Sequence, residues 1–250
     1  GRIVKIRLSD FTRVGALTLA SGEDEALGAC IDSAAGMAYF GLQTYPGKVV
    51  KIRLSDFTKI STLTFNSGED RVRVGLIDAA KGYAYFGLKT YPGKVVRVKL
   101  SNFTRDGVLT VNAGEDALYS GVIDSAKGYA HFGTYTNPGI VVKVKLADFT
   151  RADAVTLYSE EKRLDTATID LTTGFAYFMT DNWIGQCVKI NLNNIEATWR
   201  HSSPLNVRGN LNIGAGTLNS DGQNVAVGGD WSNAGIYRPG LNTVTLNGVS

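Results

Sequence analysis

The sequence predicts an all-β protein in which most of the chain is a β-propeller built of 46-residue, four-stranded blades. The first observation is a repeat: glycines recur every 46 residues, at Gly1, Gly47, Gly93, Gly139 and Gly185, and the sequences between them align without a gap. The second is that every unit divides into four short apolar or alternating runs separated by turn residues. Four antiparallel strands that cannot bury both faces alone are typical of a propeller blade.

The second unit gives the predicted strands, which are Lys48–Leu54, Thr62–Phe65, Val72–Ile77 and Tyr83–Lys89. The run Val72–Ile77 is the most apolar, so we expect it to be the innermost strand, and Thr62–Phe65 to be the outermost. The turn at 78–82 opens with Asp, which bonds its own backbone, and closes with Gly, which supplies a positive φ.

The number of strands does not match at the two ends of the repeat region. Gly1–Leu8 and Gly185–Leu192 are the same strand type, so five copies of this strand accompany four inner hairpins. Three explanations stay open: four blades close with a strand left over, the chain is part of a larger ring, or another chain supplies the missing half-blade and covers an open sheet edge. We predict a unit that depends on other protein chains, by self-association or within a larger parent protein.

The period ends at about Trp199, which divides the chain into a propeller of four full repeats and a partial fifth (1–198) and a second module (199–250). This module is rich in Asn and Gly and contains short alternating runs. We predict that it is a small β-solenoid or sandwich-like module, the start of a stalk or solenoid. Its predicted strands are Leu211–Ile213, Val225–Val227, Ile236–Tyr237 and Val244–Leu246.

Two stretches resemble known families. The runs GKVVKIRLSDF, IDxxxGYAYFG and TYPGKVV, over residues 1 to about 198, resemble the blades of bacterial and archaeal cell-surface propellers. Their layout is similar to that of YVTN and WD repeats, although the signature dipeptides are absent. Gly228–Gly248 resembles a repeat of large secreted adhesin-like proteins with a GDW and TVTFNG pattern. These resemblances imply an extracellular, cell-surface protein with a structural or adhesive role, or one that belongs to a filament.

Charge and cysteine content point to no cofactor and no nucleic acid. The net charge is +3, and basic and acidic residues are spread along the chain rather than gathered in blocks. Cys30 and Cys187 lack the spacing of a zinc or redox motif. No loop has the alternating oxygen ligands of an EF-hand, so no metal site is predicted. No apolar run is long enough for a membrane span.

No set of catalytic residues emerges, and we expect a protein that is not an enzyme. His131 occupies the position filled by Tyr39, Tyr85 and Tyr177 in the other repeats, which favours a packed ring over a catalytic base. His201 lies between the two modules without an evident partner. A G-x-S-x-G turn for a nucleophile is absent.

The candidate ligand-binding residues lie in two loops of each repeat. Acids of the Gly-Glu-Asp turns precede each innermost strand, and aromatic residues of the Tyr-Pro connections should emerge on the same face. Carboxylates beside exposed rings suit a sugar, so a lectin-like propeller is the alternative to a structural or assembly module. The simpler explanation is that the acids are turn formers and Tyr-Pro is a rigid loop. The candidates are Asp24, Asp70, Asp116, Tyr45, Tyr91, Tyr135 and Trp183.

Overall fold

A computed structural model describes residues 1–192, 198–200, 203–213, 217–220, 222–234, 236–238 and 240–247 of the chain. The described residues form 25 β-strands and no α-helix. They divide into two compact units, Gly1–Ile190 and Asn191–Ser250. The boundary predicted after residue 198 falls within the strand Thr198–Arg200. His201 lies outside the described residues. No helix of membrane-spanning length and apolarity occurs in the described part of the chain.

The first unit consists of five antiparallel sheets in chain order. We call them the leading pair and sheets 1 to 4. The leading pair has two strands, sheets 1 to 3 have four strands each, and sheet 4 has three. The strands are β1 (Arg2–Arg7) and β2 (Thr12–Thr18); β3 (Ala26–Asp32), β4 (Met37–Leu42), β5 (Lys48–Arg53) and β6 (Thr58–Thr64); β7 (Val72–Asp78), β8 (Tyr83–Leu88), β9 (Lys94–Lys99) and β10 (Thr104–Thr110); β11 (Leu118–Asp124), β12 (Tyr129–Thr134), β13 (Ile140–Lys145) and β14 (Thr150–Thr156); and β15 (Leu164–Asp170), β16 (Phe175–Thr180) and β17 (Cys187–Asn191).

Within each complete sheet the strands lie in chain order, so each sheet is an up-and-down meander. The first strands of sheets 1 to 4 pack on one another in succession, β3 on β7, β7 on β11 and β11 on β15. This places β7 innermost and β6 and β10 outermost, as the sequence predicted. The all-β fold and the four-blade propeller layout are therefore confirmed. The outer strand begins at Thr58, four residues before its predicted start. The prediction missed Thr58, Lys59 and Ile60, which are exposed.

Large aromatic and branched side chains fill the space between consecutive sheets. Phe86, Phe132 and Phe178, which are equivalent in sheets 2 to 4, are fully buried. A glycine of the preceding sheet leaves room for each neighbouring inner strand: a Cβ at Gly133 would lie 2.8 Å from Cβ of Leu164. Gly41 and Gly87 stand at the same position in sheets 1 and 2, whereas sheet 4 has Met179 there.

The second unit is built from short parallel strands, unlike the first. Three ladders of parallel strands stack successive turns of the chain, each ladder joining residues 19 or 20 positions apart. Parallel stacking of this kind is the arrangement of a β-solenoid rather than of an antiparallel sandwich. The strands are β18 (Thr198–Arg200), β19 (Leu205–Val207), β20 (Leu211–Ile213), β21 (Thr217–Asn219), β22 (Val225–Val227), β23 (Trp231–Asn233), β24 (Ile236–Arg238) and β25 (Val244–Leu246).

Candidate binding surface at the strand ends

The two predicted loops of each repeat emerge at the same end of the sheets. In sheet 2 the backbone N–H of Lys89, just before Tyr91, donates to the carbonyl of Arg71, just after Asp70, at 2.9 Å. The N–H of Arg71 also donates to the carbonyl of Thr44 in the preceding sheet, at 3.0 Å. The acid turn of one repeat therefore lies beside the Tyr-Pro loop of the preceding repeat, and Asp70 shares a junction with Tyr45.

The aromatic residues of these loops are largely open to solvent. Tyr45 and Tyr91 are 67% and 65% exposed, and Trp183, at the same position in the fourth repeat, is fully exposed. The guanidinium of Arg71 lies 5.0 Å from the ring centroid of Tyr45. These three exposed rings lie at the ends of sheets 1, 2 and 4.

Tyr135 differs from the other aromatic candidates. It occupies the position of Gln43 and Lys89, while Asn137 stands where the first two repeats have tyrosine. Its ring stacks on Tyr119 with centroids 4.2 Å apart, and its hydroxyl donates to Asp181. The hydrogen bond to Asp181, together with burial, raises the pKa of Tyr135. Tyr135 is thus part of a packed cluster and is not an open platform.

The Asp residues of the acid turns have unequal surroundings. Asp24 is exposed. Asp70 and Asp116 are half-buried. Their turns lie beside the loops of Tyr45 and Tyr91, respectively, through the backbone hydrogen bonds of Arg71 to Thr44 and of Ala117 to Thr90.

The glutamate of each acid turn has a structural role that the sequence search did not identify. Glu69 is buried; it accepts from the N–H of Asn66 at 3.0 Å and from Nε of Arg105, in the outermost strand of sheet 2, at 2.8 Å. The same arrangement joins Glu23 to Lys59 and Glu115 to Arg151. Burial alone would raise the pKa of Glu23, but hydrogen bonds from Thr62, Lys59 and Ala20 outweigh it and lower that pKa to about 2.

Otherwise similar repeats differ at three positions beside the innermost strands on this face. Two positions are at the start of the innermost strand, and one is at the end of the strand beside it. A sequence comparison by position, rather than a search for shared motifs, would have found them. In repeat order they are Glu25, Arg71, Ala117 and Arg163; Leu27, Arg73, Tyr119 and Asp165; and Gln43, Lys89, Tyr135 and Asp181.

The variable residues form a connected polar and aromatic cluster, which we call the variable cluster. The guanidinium of Arg73 lies 3.9 Å from the ring centroid of Tyr119 and 3.5 Å from Oδ1 of Asp165, which belongs to sheet 4. The ammonium of Lys89 lies 5.3 Å from the same ring. The variable cluster therefore offers a different side chain from each sheet, in contrast to the repeated loops outside it.

The histidine of the first unit is buried and does not belong to this exposed surface. His131 is 1% exposed, neither ring nitrogen has a hydrogen-bond partner among the described residues, and burial lowers its pKa to about 4. It fills the space of the equivalent tyrosines as a neutral ring. Within the described ranges, no three His, Cys, Asp or Glu side chains are grouped as metal ligands.

Comparison with known proteins identifies the fold and no family. No protein-family model matches the chain, and no curated protein matches it in sequence. Among solved structures, hydrazine synthase of Kuenenia stuttgartiensis is similar with a TM-score of 0.58 at 7% identity, over 67% of this chain and 46% of that one. The WD40 repeats of RRP9 are similar with a TM-score of 0.52 at 8% identity, over 62% and 44%. The chain thus matches less than half the length of either, and the likeness establishes the β-propeller fold alone.

Proposed function

We propose that the chain is a non-enzymatic assembly module, which contacts other protein chains, or further repeats of a larger parent protein, through the exposed faces of its first and last inner strands, β3 and β15. One observation supports this most directly. Among the described inner strands, β3 exposes Leu27 and Ile31 and β15 exposes Thr166 and Thr168, whereas β7 and β11 have no exposed residue. Unpaired strand edges beside apolar surface favour association with further strands.

The native mass of the 250-residue chain tests the proposal. Analytical ultracentrifugation over a range of concentrations is expected to find species heavier than the 26.8 kDa monomer, and electron microscopy is expected to resolve them as rings or filaments. A monomer at every concentration up to the solubility limit would refute the proposal.

We propose an extracellular, cell-surface setting for this assembly, with the solenoid unit continuing into a stalk. The resemblance of both units to surface and adhesin-like repeats supports this. Fractionation of the source cells is the test, because recovery of the native protein wholly from the cytoplasm would contradict it.

A second candidate function is glycan binding at the junctions between sheets. It is favoured by the exposed rings of Tyr45 and Tyr91, which share junctions with the half-buried carboxylates of Asp70 and Asp116. A glycan array should then show weak, multivalent binding. Tyr45→Ala or Asp70→Ala would reduce it at one junction, while Tyr45→Phe, which keeps a stacking ring, would retain it. An array with no signal would eliminate this candidate.

A further inference from the structure

We propose that a cleft between sheets 2 and 3 is a binding site for a small, uncharged, polyhydroxylated molecule such as a single sugar unit. The cleft has a volume of about 480 Å³ and is lined only by residues between 78 and 147, in the middle of the first unit. A volume of this size is typical of small-molecule sites. The cleft lies at the end of the sheets opposite to the Tyr-Pro loops, and the inference does not depend on the proposed assembly function.

The cleft is open at its rim and polar in its deeper part. The exposed side chains of Lys81, Ala126 and Lys127, which belong to the turns after β7 and β11, line the rim. Asp78 and Tyr85 are only 2% and 1% exposed, and they lie deeper. A small molecule can therefore enter the cleft without any strand moving.

The two deep side chains have polar atoms that no protein group satisfies. Oδ1 of Asp78 accepts from the N–H of Lys81 at 3.2 Å, which forms the turn, whereas Oδ2 accepts no hydrogen bond from a described residue. The hydroxyl of Tyr85 likewise has no hydrogen-bond partner among these residues, and neither atom is enclosed by protein, so both reach the cleft. Burial raises the pKa of Tyr85 to about 12, so its hydroxyl is uncharged at neutral pH.

Arg97 adds hydrogen-bond donors in a fixed orientation. Its Nε donates to Oδ2 of Asp106 at 2.6 Å. The guanidinium lies 4.9 Å from the ring centroid of Tyr83 and 4.6 Å from that of Phe149. Its two terminal nitrogens form no hydrogen bond with any residue that the structure describes. A guanidinium already held by an ion pair and two rings loses little conformational entropy when it binds a ligand.

The pair of Arg97 and Asp106 distinguishes sheet 2 from its neighbours. Sheets 1 and 3 have a lysine and an aliphatic residue at these two positions, namely Lys51 with Ile60 and Lys143 with Ala152. In sheet 1 the ammonium of Lys51 lies over the ring of Tyr39, 5.9 Å from its centroid. In sheet 2 Asp106 holds the cation over other rings, and the space beside Tyr85 is part of the cleft.

The charges at the cleft favour a neutral ligand. Three cations line it, and each shares an ion pair or a turn with one carboxylate, in the pairs Arg97–Asp106, Lys127–Asp124 and Lys81–Asp78. An ion would bring a charge that nothing in the cleft compensates. A ligand hydroxyl can instead donate to Asp78 and accept from Tyr85 or Arg97. Leu146 and Ala147 offer an apolar wall to the C–H groups of a sugar.

A nuclear magnetic resonance titration with methyl α-glucoside, methyl β-galactoside and methyl α-mannoside tests the site. At least one glycoside is expected to bind with a dissociation constant on the order of 1 mM, because few direct contacts hold so small a ligand. In a chain with isotope-labelled tyrosine, the ring signal that Tyr85→Phe removes should shift during the titration. The signal that Tyr39→Phe removes should not. If no glycoside binds, or if the Tyr85 signal stays in place while one does, the proposal is wrong.

Two variants test the contacts. Tyr85→Phe removes one hydroxyl and should raise the dissociation constant about tenfold. The matched control Tyr39→Phe, at the equivalent position of sheet 1, should leave the dissociation constant unchanged. Arg97→Lys with Asp106→Ile gives sheet 2 the residues with which sheet 1 folds, and it should abolish measurable binding while circular dichroism stays that of the parent chain. Parent-like affinity in Tyr85→Phe or in the double variant would refute the site.

Competition and a distant variant test the ligand class and the location. Glutamine, a zwitterion, and citrate, an anion, should not displace the bound glycoside, and displacement by either would refute a site for neutral molecules. Tyr45→Ala removes a ring at the opposite end of the sheets and should leave the affinity unchanged. Loss of binding in that variant would assign the glycoside to the Tyr-Pro loops and refute this site. A monomeric chain would contradict the assembly function but none of these expected results.

Discussion

Glu69 and Arg105 connect a loop to the outermost strand of the sheet that follows it, through hydrogen bonds from the guanidinium to a carboxylate that is only 5% exposed. The carbonyl of Glu69 also accepts from the N–H of Gly47 in the preceding sheet. Glu69→Gln should lower the free energy of unfolding by about 3 kcal/mol, because Arg105 loses its charge partner. Asp148→Asn removes an exposed ion pair with Lys145 and is the control, expected to change stability little. Denaturant unfolding followed by circular dichroism measures both, and equal effects would contradict a special role for Glu69.

His131 should make the protein less stable at mildly acidic pH. Burial lowers its pKa from 6.5 to about 4, so the unfolded chain takes up a proton before the folded chain does. Stability is therefore lost as the pH falls through 6.5 and levels off near 4, by a total on the order of 3 kcal/mol. His131→Tyr restores the residue of the other repeats and should remove this part of the pH dependence. If the free energy of unfolding changes by the same amount in the two proteins between pH 7 and pH 4, the prediction is wrong.

Gly133→Ala should destabilise the junction between sheets 3 and 4. Its Cβ would lie 2.3 Å from Oγ of Ser120 and 2.8 Å from Cβ of Leu164, so at least one backbone must move. We expect a loss of about 1–3 kcal/mol. Met179→Ala, at the same position of sheet 4, is the matched comparison. It lies on a partly exposed face, and its effect on the monomer should be smaller. A thermal scan that ranks the two variants in the opposite order would contradict the packing argument.

The two thiols should react at very different rates. Burial and the nearby Asp32 raise the pKa of Cys30 to about 12, so little thiolate is present at pH 8. Cys187 in β17 is exposed. Ellman's reagent should therefore show one fast thiol per chain, which disappears in Cys187→Ser and remains in Cys30→Ser. Two fast thiols in the native protein would contradict this.

The architecture could be predicted from the sequence because several local signals recur in every repeat and agree with one another. Strict alternation within Lys48–Leu54, the Asp and Gly of each turn and the apolar run at 72–77 all agree, so strand order within the sheet followed from pattern alone. Consistent local signals of this kind specify a fold strongly. The start of the outer strand was predicted four residues too late, because Thr58, Lys59 and Ile60 are exposed and this edge strand pairs only on one side.

The candidate surface was predicted less completely. Motif searches look for what repeats share, and they led to the loops with Tyr45, Tyr91 and Trp183. The variable cluster consists of what the repeats do not share, such as Arg73, Tyr119 and Asp165, and its contacts join residues from different sheets. The role of Glu69 was also missed, since its partner 36 residues later is recognisable only once both lie in neighbouring sheets.

The succession of inner strands, with β3 on β7, β7 on β11 and β11 on β15, has a consequence for how the molecule opens. Each of these contacts joins a sheet to its immediate neighbours, so stability accumulates along a line, as it does in linear repeat arrays. Among the described sheets, sheets 1, 2 and 3 have neighbours on both sides, whereas sheet 4 has a neighbour on one side only. Slow hydrogen exchange should therefore concentrate in the middle of the unit. Local unfolding should begin at the first and last of the described sheets and proceed inward.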